Sequence, residues 1–436
     1  MSEFARRDLE FAPPQEIRRV QEDRLAEHVE HCLRDSPFYR RHLGSRRTPG
    51  GRLTLEALRD LPTTAKSDLE AFNDDFLAVP PSRIVDIVLS SGTTGRPTRI
   101  QYTAKDLRRL QYNEELSFAG CGLSDKDVVL LTCTMDRCFI AGLAYFLGIT
   151  GLGAAAIRNG HGSMESHLAV LRQMRPTAIV GVPSFLRKMA VFIDAHGLAP
   201  RESGVRRLVC IGEPLRGRDM AMLKLGADLE RMWMAPAYST YASSETVTTF
   251  CECTAQRGGH LHPDLGVVEI LDDEGNPVPP GGAGEIVLTP LAVEGMPLLR
   301  FRTGDVSFLI EAPCACGRTS PRLGPIIGRK QQMMKMRGTT FYPQALYSAL
   351  DEIPAVSEYY ICVTSADSLS DEVSVHVSVA DPACTAAGIQ EKLQARVRVK
   401  PSVVIESEDR IREQVYTSKS RKPIRFLDQR TRESSI

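Results

Sequence analysis

The chain has 436 residues, more than a single hydrophobic core usually holds, so we expect two or more domains. Its 54 Lys and Arg residues balance its 54 Asp and Glu residues, which argues against nucleic acid or an anionic membrane as the main partner. Eleven cysteines, an N-terminus without an apolar signal segment and no membrane-length apolar stretch predict a cytoplasmic protein with reduced thiols.

Roughly the first eighty residues are polar and helical in pattern, with a turn at Leu61–Lys66. Short β-branched apolar runs then alternate with amphipathic segments, a pattern typical of a largely parallel sheet covered by helices. The predicted strands are Ile84–Leu89, Val128–Leu131, Ala154–Ile157, Ala178–Val182 and Leu208–Ile211. Within Val267–Leu291, two strand-like runs flank the turn sequence Asp272–Pro277, which predicts an antiparallel hairpin.

The C-terminal part of the chain predicts a small α+β domain. Its expected elements are helix Pro343–Leu350, strands Tyr359–Thr364 and Glu372–Val379, helix Ala386–Val397 and strand Val403–Ile405. The polar segment Gly328–Gln332 lacks apolar periodicity and marks the boundary. We therefore predict an α/β protein: residues 1–327 form a large domain with mainly parallel sheets and an antiparallel subdomain, and residues 328–436 form the small domain.

The sharpest local pattern is the sequence Ser-Ser-Gly-Thr-Thr-Gly-Arg-Pro at Ser90–Pro97, directly after the first predicted strand. Glycines allow a tight turn around an anion, and hydroxyl and N–H groups can donate to phosphate oxygens. The predicted phosphate cradle consists of Ser90, Ser91, Gly92, Thr93, Thr94 and Gly95. An ordinary Gly/Ser/Thr surface loop is the alternative. A Walker A loop is excluded because this loop lacks Gly-Lys-Ser/Thr.

This loop resembles the signature of the acyl-adenylate-forming superfamily, which includes acyl-CoA ligases, luciferases and adenylation domains of peptide synthetases. Further motifs follow in the family's order, at Gly212–Pro214, Tyr241–Glu245, Phe301–Asp305, Gly328–Arg329 and Lys422. The chain is similar to the phenylacetate-CoA ligase branch through a second set of motifs, at Ser36–Tyr39, Leu61–Thr64, Thr98 and Phe341–Pro343. The resemblance covers nearly the whole chain.

The resemblance implies ATP and Mg2+ as cofactors and gives roles to the matching residues. Glu245 would be the carboxylate associated with Mg2+, an ion that prefers oxygen ligands. Asp305 would accept both ribose hydroxyls. The other implied nucleotide contacts are Gly212, Glu213 and Tyr241 around adenine and Arg329 at ribose or phosphate. Purely structural alternatives are a helix-capping glutamate, a turn aspartate, a core tyrosine and a hinge arginine.

The resemblance also implies that the small C-terminal domain is mobile and rotates between an adenylating and a thioester-forming pose. Lys422 matches the family's catalytic lysine, whose charge stabilises the transition state at the α-phosphate, with Lys419 as the substitute and a solvated basic tail as the alternative. Arg421 replaces the usual preceding glycine, and Gln331 replaces the usual hinge aspartate or lysine. Gly338 matches the glycine beside which the pantetheine arm of coenzyme A passes.

Cysteine and histidine pairs predict a metal site. A Cys-x-Cys pair at positions 314–316 follows Cys-x-Cys and His-x-His pairs at positions 251–253 and 260–262. The ligands of a structural Zn2+ would be Cys253, His260, Cys314 and Cys316, with Cys251 and His262 as substitutes. Independent buried thiols and a surface histidine are the alternative.

The position of the segment Thr134–Leu143 in the family places the carboxylic acid beside it. The apolar walls for an aryl ring would be Phe139, Ile140, Ala237 and Tyr238. Asp136 and Arg137 in the same segment indicate a polar or amino-bearing acid, unless they pair with each other at the surface.

The expected function is ATP-dependent adenylation of an aryl or similar carboxylic acid, followed by thioester formation with coenzyme A. One alternative is an adenylating enzyme with another acceptor: a carrier protein, an amine or, as in synthetases that adenylylate a flavin-like coenzyme, a cofactor hydroxyl. A second is a nucleotide-binding protein that kept the fold without catalysis. The expected partner is a small carboxylic acid, and the expected assembly is a homodimer.

Overall fold

The computed structural model describes residues 7–44, 53–90, 98–336, 338–365, 370–416 and 423–430. By their internal contacts the residues form two compact units, Met1–Thr303 with Ser307–Ile326, and Gly304–Val306 with Ile327–Ile436. None of the described helices has the length and apolar character needed to cross a membrane.

The first unit begins with a helical segment and a β-hairpin. These elements are α1 Pro14–Asp35, α2 Pro37–His42, α3 Leu55–Leu58, α4 Lys66–Ala71, β1 Ile84–Ser90 and β2 Thr98–Thr103. The helices and the hairpin share one apolar core, which contains Leu25, Tyr39 and Phe76. The N-terminal segment is therefore packed as part of the first unit and does not form a separate body.

The strand β1 corrects one prediction. The sequence assigned it to the parallel sheet, but β1 pairs antiparallel with β2 in a two-stranded sheet. Its alternate residues Val85, Ile87 and Leu89 are exposed, so only one face of the strand is covered. An apolar run of this length cannot by itself distinguish a hairpin strand from a buried parallel one.

The rest of the first unit alternates strands and helices. Its elements are α5 Ala104–Gly120, β3 Val128–Leu131, α6 Ile140–Gly151, β4 Ala155–Arg158, α7 Met164–Met174, β5 Ala178–Gly181, α8 Pro183–Ala195, β6 Arg207–Ile211, α9 Lys224–Trp233, β7 Ala237–Ser243, β8 Thr248–Glu252, β9 Gly259–His260, β10 Gly266–Leu271, β11 Gly284–Pro290, β12 Phe301–Ser307, β13 Leu309–Ile310 and β14 Arg322–Leu323. Residues 304–306 of β12 belong to the second unit.

Nine of the described strands form the central sheet, in the order β13-β14-β9-β8-β7-β6-β5-β3-β4. The five strands from β7 to β4 are parallel, and the remaining pairs are antiparallel. Successive side chains point to opposite faces. Leu208 therefore packs in the core with α7, α8 and α9, whereas Val209 packs in the core with α5 and α6. The predicted parallel sheet covered by helices is confirmed.

The predicted antiparallel hairpin is also confirmed. The strands β10 and β11 pair from Gly266 opposite Pro290 to Leu271 opposite Glu285. Between them, the backbone N–H of Asp272 donates to the carbonyl of Asn276 at 2.9 Å, which closes the turn that the sequence indicated.

The second unit is a small α+β body, as predicted. Its elements are β15 Gly328–Arg329, β16 Met334–Met336, β17 Thr339–Phe341, α10 Pro343–Asp351, β18 Val356–Ser365, β19 Asp371–Val379, α11 Ala386–Val397, β20 Ser402–Ile405, α12 Glu408–Val415 and β21 Phe426–Asp428. Its main sheet has the order β20-β19-β18-β21 among the described strands. The prediction missed α12, because this charged helix buries only Ile411 and Val415.

Candidate active site and metal cluster

The ends of the β1–β2 hairpin frame the predicted phosphate loop. Ser90 ends β1 and lies directly opposite Thr98, which begins β2. Both hydroxyl groups are buried and have no hydrogen-bond partner among the described residues. The other predicted cradle residues, Ser91, Gly92, Thr93, Thr94 and Gly95, lie outside the described residues. The structure therefore gives the two points from which the loop departs.

Glu245 lies just after β7, and 12% of its side chain is exposed. Its Oε2 accepts a hydrogen bond from the Ser243 hydroxyl at 2.8 Å, and its Oε1 lies 3.2 Å from Lys66 Nζ. Burial alone would raise the pKa of the Glu245 carboxyl, but the Lys66 ammonium and the Ser243 hydroxyl hold this pKa below its ordinary value. Glu245 is therefore an ionised carboxylate, the kind of oxygen donor that Mg2+ binds.

Lys66 is the charged partner that the sequence did not reveal. It is the first residue of α4, and 20% of its side chain is exposed. The sequence predicted a turn that leads into a helix at this residue, but it gave Lys66 no role in the site. Spacing along a chain carries no information about a partner in a remote segment, so the Lys66–Glu245 pair could not be found from either motif.

The predicted adenine contacts lie at the carboxyl ends of neighbouring strands. Gly212 follows β6 with a φ of +76°, and Tyr241 lies in β7, where its ring stacks on Phe250 with 6.0 Å between centroids. The Glu213 carboxylate accepts hydrogen bonds from the backbone N–H and hydroxyl of Ser184, at 2.9 and 2.8 Å. This carboxylate therefore caps the N-terminus of α8.

The two predicted ribose contacts come together in the second unit. Asp305 and Arg329 are paired residues of β12 and β15, and Arg329 Nε lies 3.2 Å from Asp305 Oδ1. Arg329 has 63% of its side chain exposed, whereas Asp305 has 16%. Gly304 precedes the aspartate with a φ of +76°, a conformation that favours glycine.

Other residues of the second unit carry the predictions about thioester formation. Gly338 has a φ of +77°, and no described atom lies within 4 Å of the place where a Cβ would be. The carbonyl of Gln331, at the matching hinge position, accepts a hydrogen bond from Arg430 at 3.1 Å. Lys422, its substitute Lys419 and the neighbouring Arg421 lie outside the described residues.

The four predicted walls of the acid pocket do not form one cluster. Ile140 is buried in the core of the N-terminal helices. Ala237 and Tyr238 are buried in the two cores on opposite faces of the central sheet. Phe139 is the one wall residue that is partly exposed. Asp136, in the same segment, is exposed and contacts the Thr134 hydroxyl.

The four predicted zinc ligands, in contrast, come together. The ligand atoms of Cys253, His260, Cys314 and Cys316 all lie within 4.8 Å of one another. The Cys253 and Cys314 sulfur atoms are 3.6 Å apart, and Cys316 Sγ lies 3.3 Å from His260 Nε2. Burial lowers the pKa of His260 to about 3, so its imidazole is neutral, as metal ligation requires. Three thiols and one imidazole fit a closed tetrahedral zinc site.

The two substitute ligands have other contacts. Cys251 is buried in the core shared with α5 and α6. His262 Nδ1 lies 2.9 Å from Glu10 Oε1, and Arg318 Nε donates to Glu10 Oε2, also at 2.9 Å. Burial would raise the pKa of Glu10, but His262 and Arg318 lower it to about 2.

The segment around Glu10 is fastened to the turn that carries Cys314 and Cys316. The backbone N–H of Thr319 donates to the Glu10 carbonyl at 2.9 Å, and the Thr319 hydroxyl donates to the Ala12 carbonyl at 2.5 Å. The Arg318 guanidinium also lies over the Phe11 ring, 4.9 Å from its centroid. The cysteine turn and the N-terminal segment are therefore one packed assembly.

Three features define this chain as a nucleotide-binding α/β enzyme: a parallel sheet covered on both faces, a glycine- and hydroxyl-rich loop, and a carboxylate at the carboxyl end of a strand. The comparison with known families is specific. The chain belongs to the AMP-binding enzyme family, which matches residues 25–292, and the AMP-binding enzyme C-terminal domain matches residues 338–430. The family resemblance in the sequence is confirmed.

Curated relatives are similar to this chain over most of their length. The phenylacetate-coenzyme A ligase of Thermus thermophilus is 32% identical over 381 residues, which cover 86% of this chain and 84% of the relative. The phenylacetate-coenzyme A ligase of Escherichia coli K12 is 28% identical over 415 residues, which cover 92% of each chain.

Solved structures share the fold. A 2-hydroxyisobutyryl-CoA ligase in the postadenylation state, in complex with R3-HIB-AMP, has a TM-score of 0.85 and 23% identity, covering 97% of this chain and 91% of that chain. The same ligase in complex with 2-HIB-AMP and CoA has a TM-score of 0.71 and 25% identity over the same shares.

Proposed function

We propose that this chain is an ATP-dependent, AMP-forming ligase that joins an aryl or similar carboxylic acid to coenzyme A. Membership of the AMP-binding enzyme family and the similarity to two phenylacetate-coenzyme A ligases support this function. The structural observation that carries it is the ionised Glu245, held by Ser243 and Lys66 at the carboxyl end of β7. A protein that had kept only the fold would not need a charge pair with so little solvent access at this position.

In the first step, a carboxylate oxygen of the acid attacks the α-phosphorus of ATP, and pyrophosphate leaves. Bound Mg2+ would neutralise charge on the phosphates, and Glu245 offers it an anionic oxygen. Lys66 places a second positive charge 3.2 Å from the same carboxylate. Ser90 and the following loop would donate to the phosphates, and Lys422 would stabilise the charge that develops at the α-phosphate.

In the second step, the thiolate of coenzyme A attacks the acyl carbonyl, and AMP leaves as the C–O bond to its phosphate breaks. We assign the AMP and the acid to the domain of residues 1–327, and the catalytic lysine, together with the ribose contact Arg329, to residues 328–436. Gly338 leaves room for the pantetheine arm because glycine has no side chain, and its φ of +77° is a conformation that favours glycine. The ribose would lie at Asp305 and Arg329, and adenine at Gly212, Glu213 and Tyr241.

We further propose that Cys253, His260, Cys314 and Cys316 hold a structural Zn2+. The closeness of the four donor atoms supports this, and a set of four protein ligands leaves no position for a substrate. None of the eleven cysteines forms a disulfide, which fits a cytoplasmic enzyme. A homodimer remains the proposed assembly. For the acid pocket, Phe139 is the wall residue to test first, because it is partly exposed.

The test is mass-spectrometric product analysis after incubation with ATP, Mg2+, coenzyme A and a panel of aryl and short aliphatic acids. An acyl-CoA together with AMP is the expected result, and it names the acid. An acyl-adenylate without any acyl-CoA would show that the acceptor is a different nucleophile. If no acid gives AMP while ATP still binds, the protein is a nucleotide-binding protein without this activity.

A further inference from the structure

We propose that Tyr39 is a positioning residue for the Lys66–Glu245 pair and that it acts through Thr64. Tyr39 lies in α2, remote in sequence from both charged residues, and its side chain is fully buried. The inference rests on the proposed function, because it assigns Tyr39 an effect on the adenylation step.

The Tyr39 hydroxyl belongs to a closed ring of three hydrogen bonds. The backbone N–H of Leu299 donates to the Tyr39 oxygen at 2.8 Å, and the Thr64 hydroxyl donates to the Leu299 carbonyl at 2.8 Å. The Tyr39 and Thr64 oxygens are 2.9 Å apart. The single Thr64 hydroxyl proton is already donated to Leu299, so Tyr39 is the donor between the two hydroxyls. Every donor in the ring thus has one acceptor.

This ring fixes Thr64 against the segment that leads into β12. The backbone N–H of Thr64 donates to the Arg300 carbonyl at 3.1 Å, and the N–H of Arg302 donates to the Thr64 carbonyl at 2.8 Å. Thr64 thereby forms a parallel bridge with Phe301. Both its backbone and its side chain are held, and the residue is fully buried.

The helix α4 starts two residues after Thr64, and its first residue is Lys66. The N–H of Ala65 donates to the Asp68 carboxylate at 2.7 Å, which fixes the start of the helix from the other side. The direction in which Lys66 leaves the backbone is therefore set by Thr64 and the first turn of α4. Loss of the Tyr39 hydroxyl would leave a buried Thr64 oxygen and a buried Leu299 N–H without their partner, and the start of α4 would move.

The variant Tyr39→Phe removes one oxygen and keeps the aromatic contacts with Phe38 and Phe76, at centroid distances of 5.1 and 5.7 Å. Tyr112→Phe is the matched control, because Tyr112 is also buried and its hydroxyl donates to Asp264 at 3.1 Å. We expect Tyr39→Phe to lower kcat for AMP formation about tenfold with little change in KM for the acid, and Tyr112→Phe to have less than about twofold effect.

A double variant separates a positioning role of Tyr39 from a general loss of stability of the fold. When Lys66→Met is present, the charge that Tyr39 positions is gone, so adding Tyr39→Phe should change kcat by less than about twofold. A full tenfold effect in this background, or equal effects of the Tyr39 and Tyr112 variants, would overturn the proposal.

A third measurement does not depend on turnover. Acetylation of Lys66 by an amine-reactive ester in the nucleotide-free protein is followed by peptide mass spectrometry, with the exposed Lys126 as the internal reference. Tyr39→Phe should raise the Lys66 rate about fivefold relative to Lys126, because the ammonium group is held less firmly against Glu245. An unchanged ratio of the Lys66 rate to the Lys126 rate would overturn the positioning role, even if the protein turns over no acid. A raised ratio in the variant, together with no turnover in the wild type, would count against the proposed function alone.

Discussion

The Lys66–Glu245 pair and the Cys/His cluster are two polar centres of the same unit with opposite designs. The pair consists of two charged side chains that are both partly exposed. The cluster consists of four donors, three thiols and one imidazole, whose ligand atoms lie within 4.8 Å of one another. An ion pair with solvent access can exchange one partner for an incoming cation or phosphate. A closed set of thiols and imidazole can only hold what is already bound.

The difference teaches where chemistry and stability reside in this unit. Changes at Glu245 should affect turnover with little effect on unfolding, and changes at the cluster should do the reverse. Four variants, ordered from the largest expected effect to the smallest, test this separation.

Glu245→Gln keeps the shape of the side chain and removes its charge. We expect kcat/KM for AMP formation to fall about 10²–10³-fold, because the amide cannot hold a divalent cation beside the phosphates. Steady-state kinetics and thermal unfolding measure the two effects. Glu294→Gln is the control, since Glu294 is also partly buried and paired, with Arg83 at 3.0 Å. Activity within tenfold of the wild type would refute the role of Glu245.

Cys253→Ser removes one donor from the cluster. We expect the zinc content to fall from about one per chain to none and the unfolding midpoint to fall by roughly 10 °C. Elemental analysis and calorimetry check this, with Cys138→Ser as the control because Cys138 is exposed and outside the cluster. Wild-type protein that retains no zinc after washing with a chelator would contradict the metal assignment.

Glu10→Gln tests the carboxylate that joins the N-terminal segment to the cysteine turn. Its folded pKa of about 2 lies below the ordinary value of 4.5, so the ionised carboxyl stabilises the fold above about pH 4.5, and this contribution is lost as the pH falls towards 2. We expect the variant to lose about 2 kcal/mol at pH 7 and to depend less on pH in this window. Denaturant unfolding at several pH values measures it. Parallel pH profiles of variant and wild type would be the contrary result.

Ser243→Ala should have the smallest effect. It removes the 2.8 Å hydrogen bond to Glu245 Oε2 and leaves Lys66 in place. We expect kcat to fall about threefold to tenfold, since one hydrogen bond to a charged group is lost. A loss as large as that of Glu245→Gln would show that Ser243 has a role beyond orienting the carboxylate.

The sequence predicted those parts of the molecule whose pattern is local. The parallel strands, the β10–β11 hairpin and the order of elements in the second unit each follow from periodicity or turn residues. The Cys/His cluster could also be predicted, because its four residues come from Cys-x-Cys and His-x-His pairs.

The remaining parts depend on contacts between remote segments. Three contacts are of this kind: the pairing of β1 with β2, the Lys66–Glu245 pair and the contacts of Glu10. In each, the sequence pattern of one segment does not indicate the segment that it contacts. The acid-pocket walls show the opposite limit: Ala237 and Tyr238 are neighbours in sequence, yet the alternation of a strand sends them to different faces. Position within a family motif cannot replace knowledge of the face on which a side chain lies.

The buried carboxylate of Glu10 also has a practical consequence for where this protein can be cut. The AMP-binding enzyme family match begins at residue 25, so a version trimmed to that boundary would still contain the sheet, Glu245 and all four cluster residues. It would lack Glu10, however, and the partly buried Arg318 guanidinium would lose the carboxylate with which it pairs. A boundary that sequence similarity suggests would thus remove a stabilising part of the molecule that contributes no residue to the site.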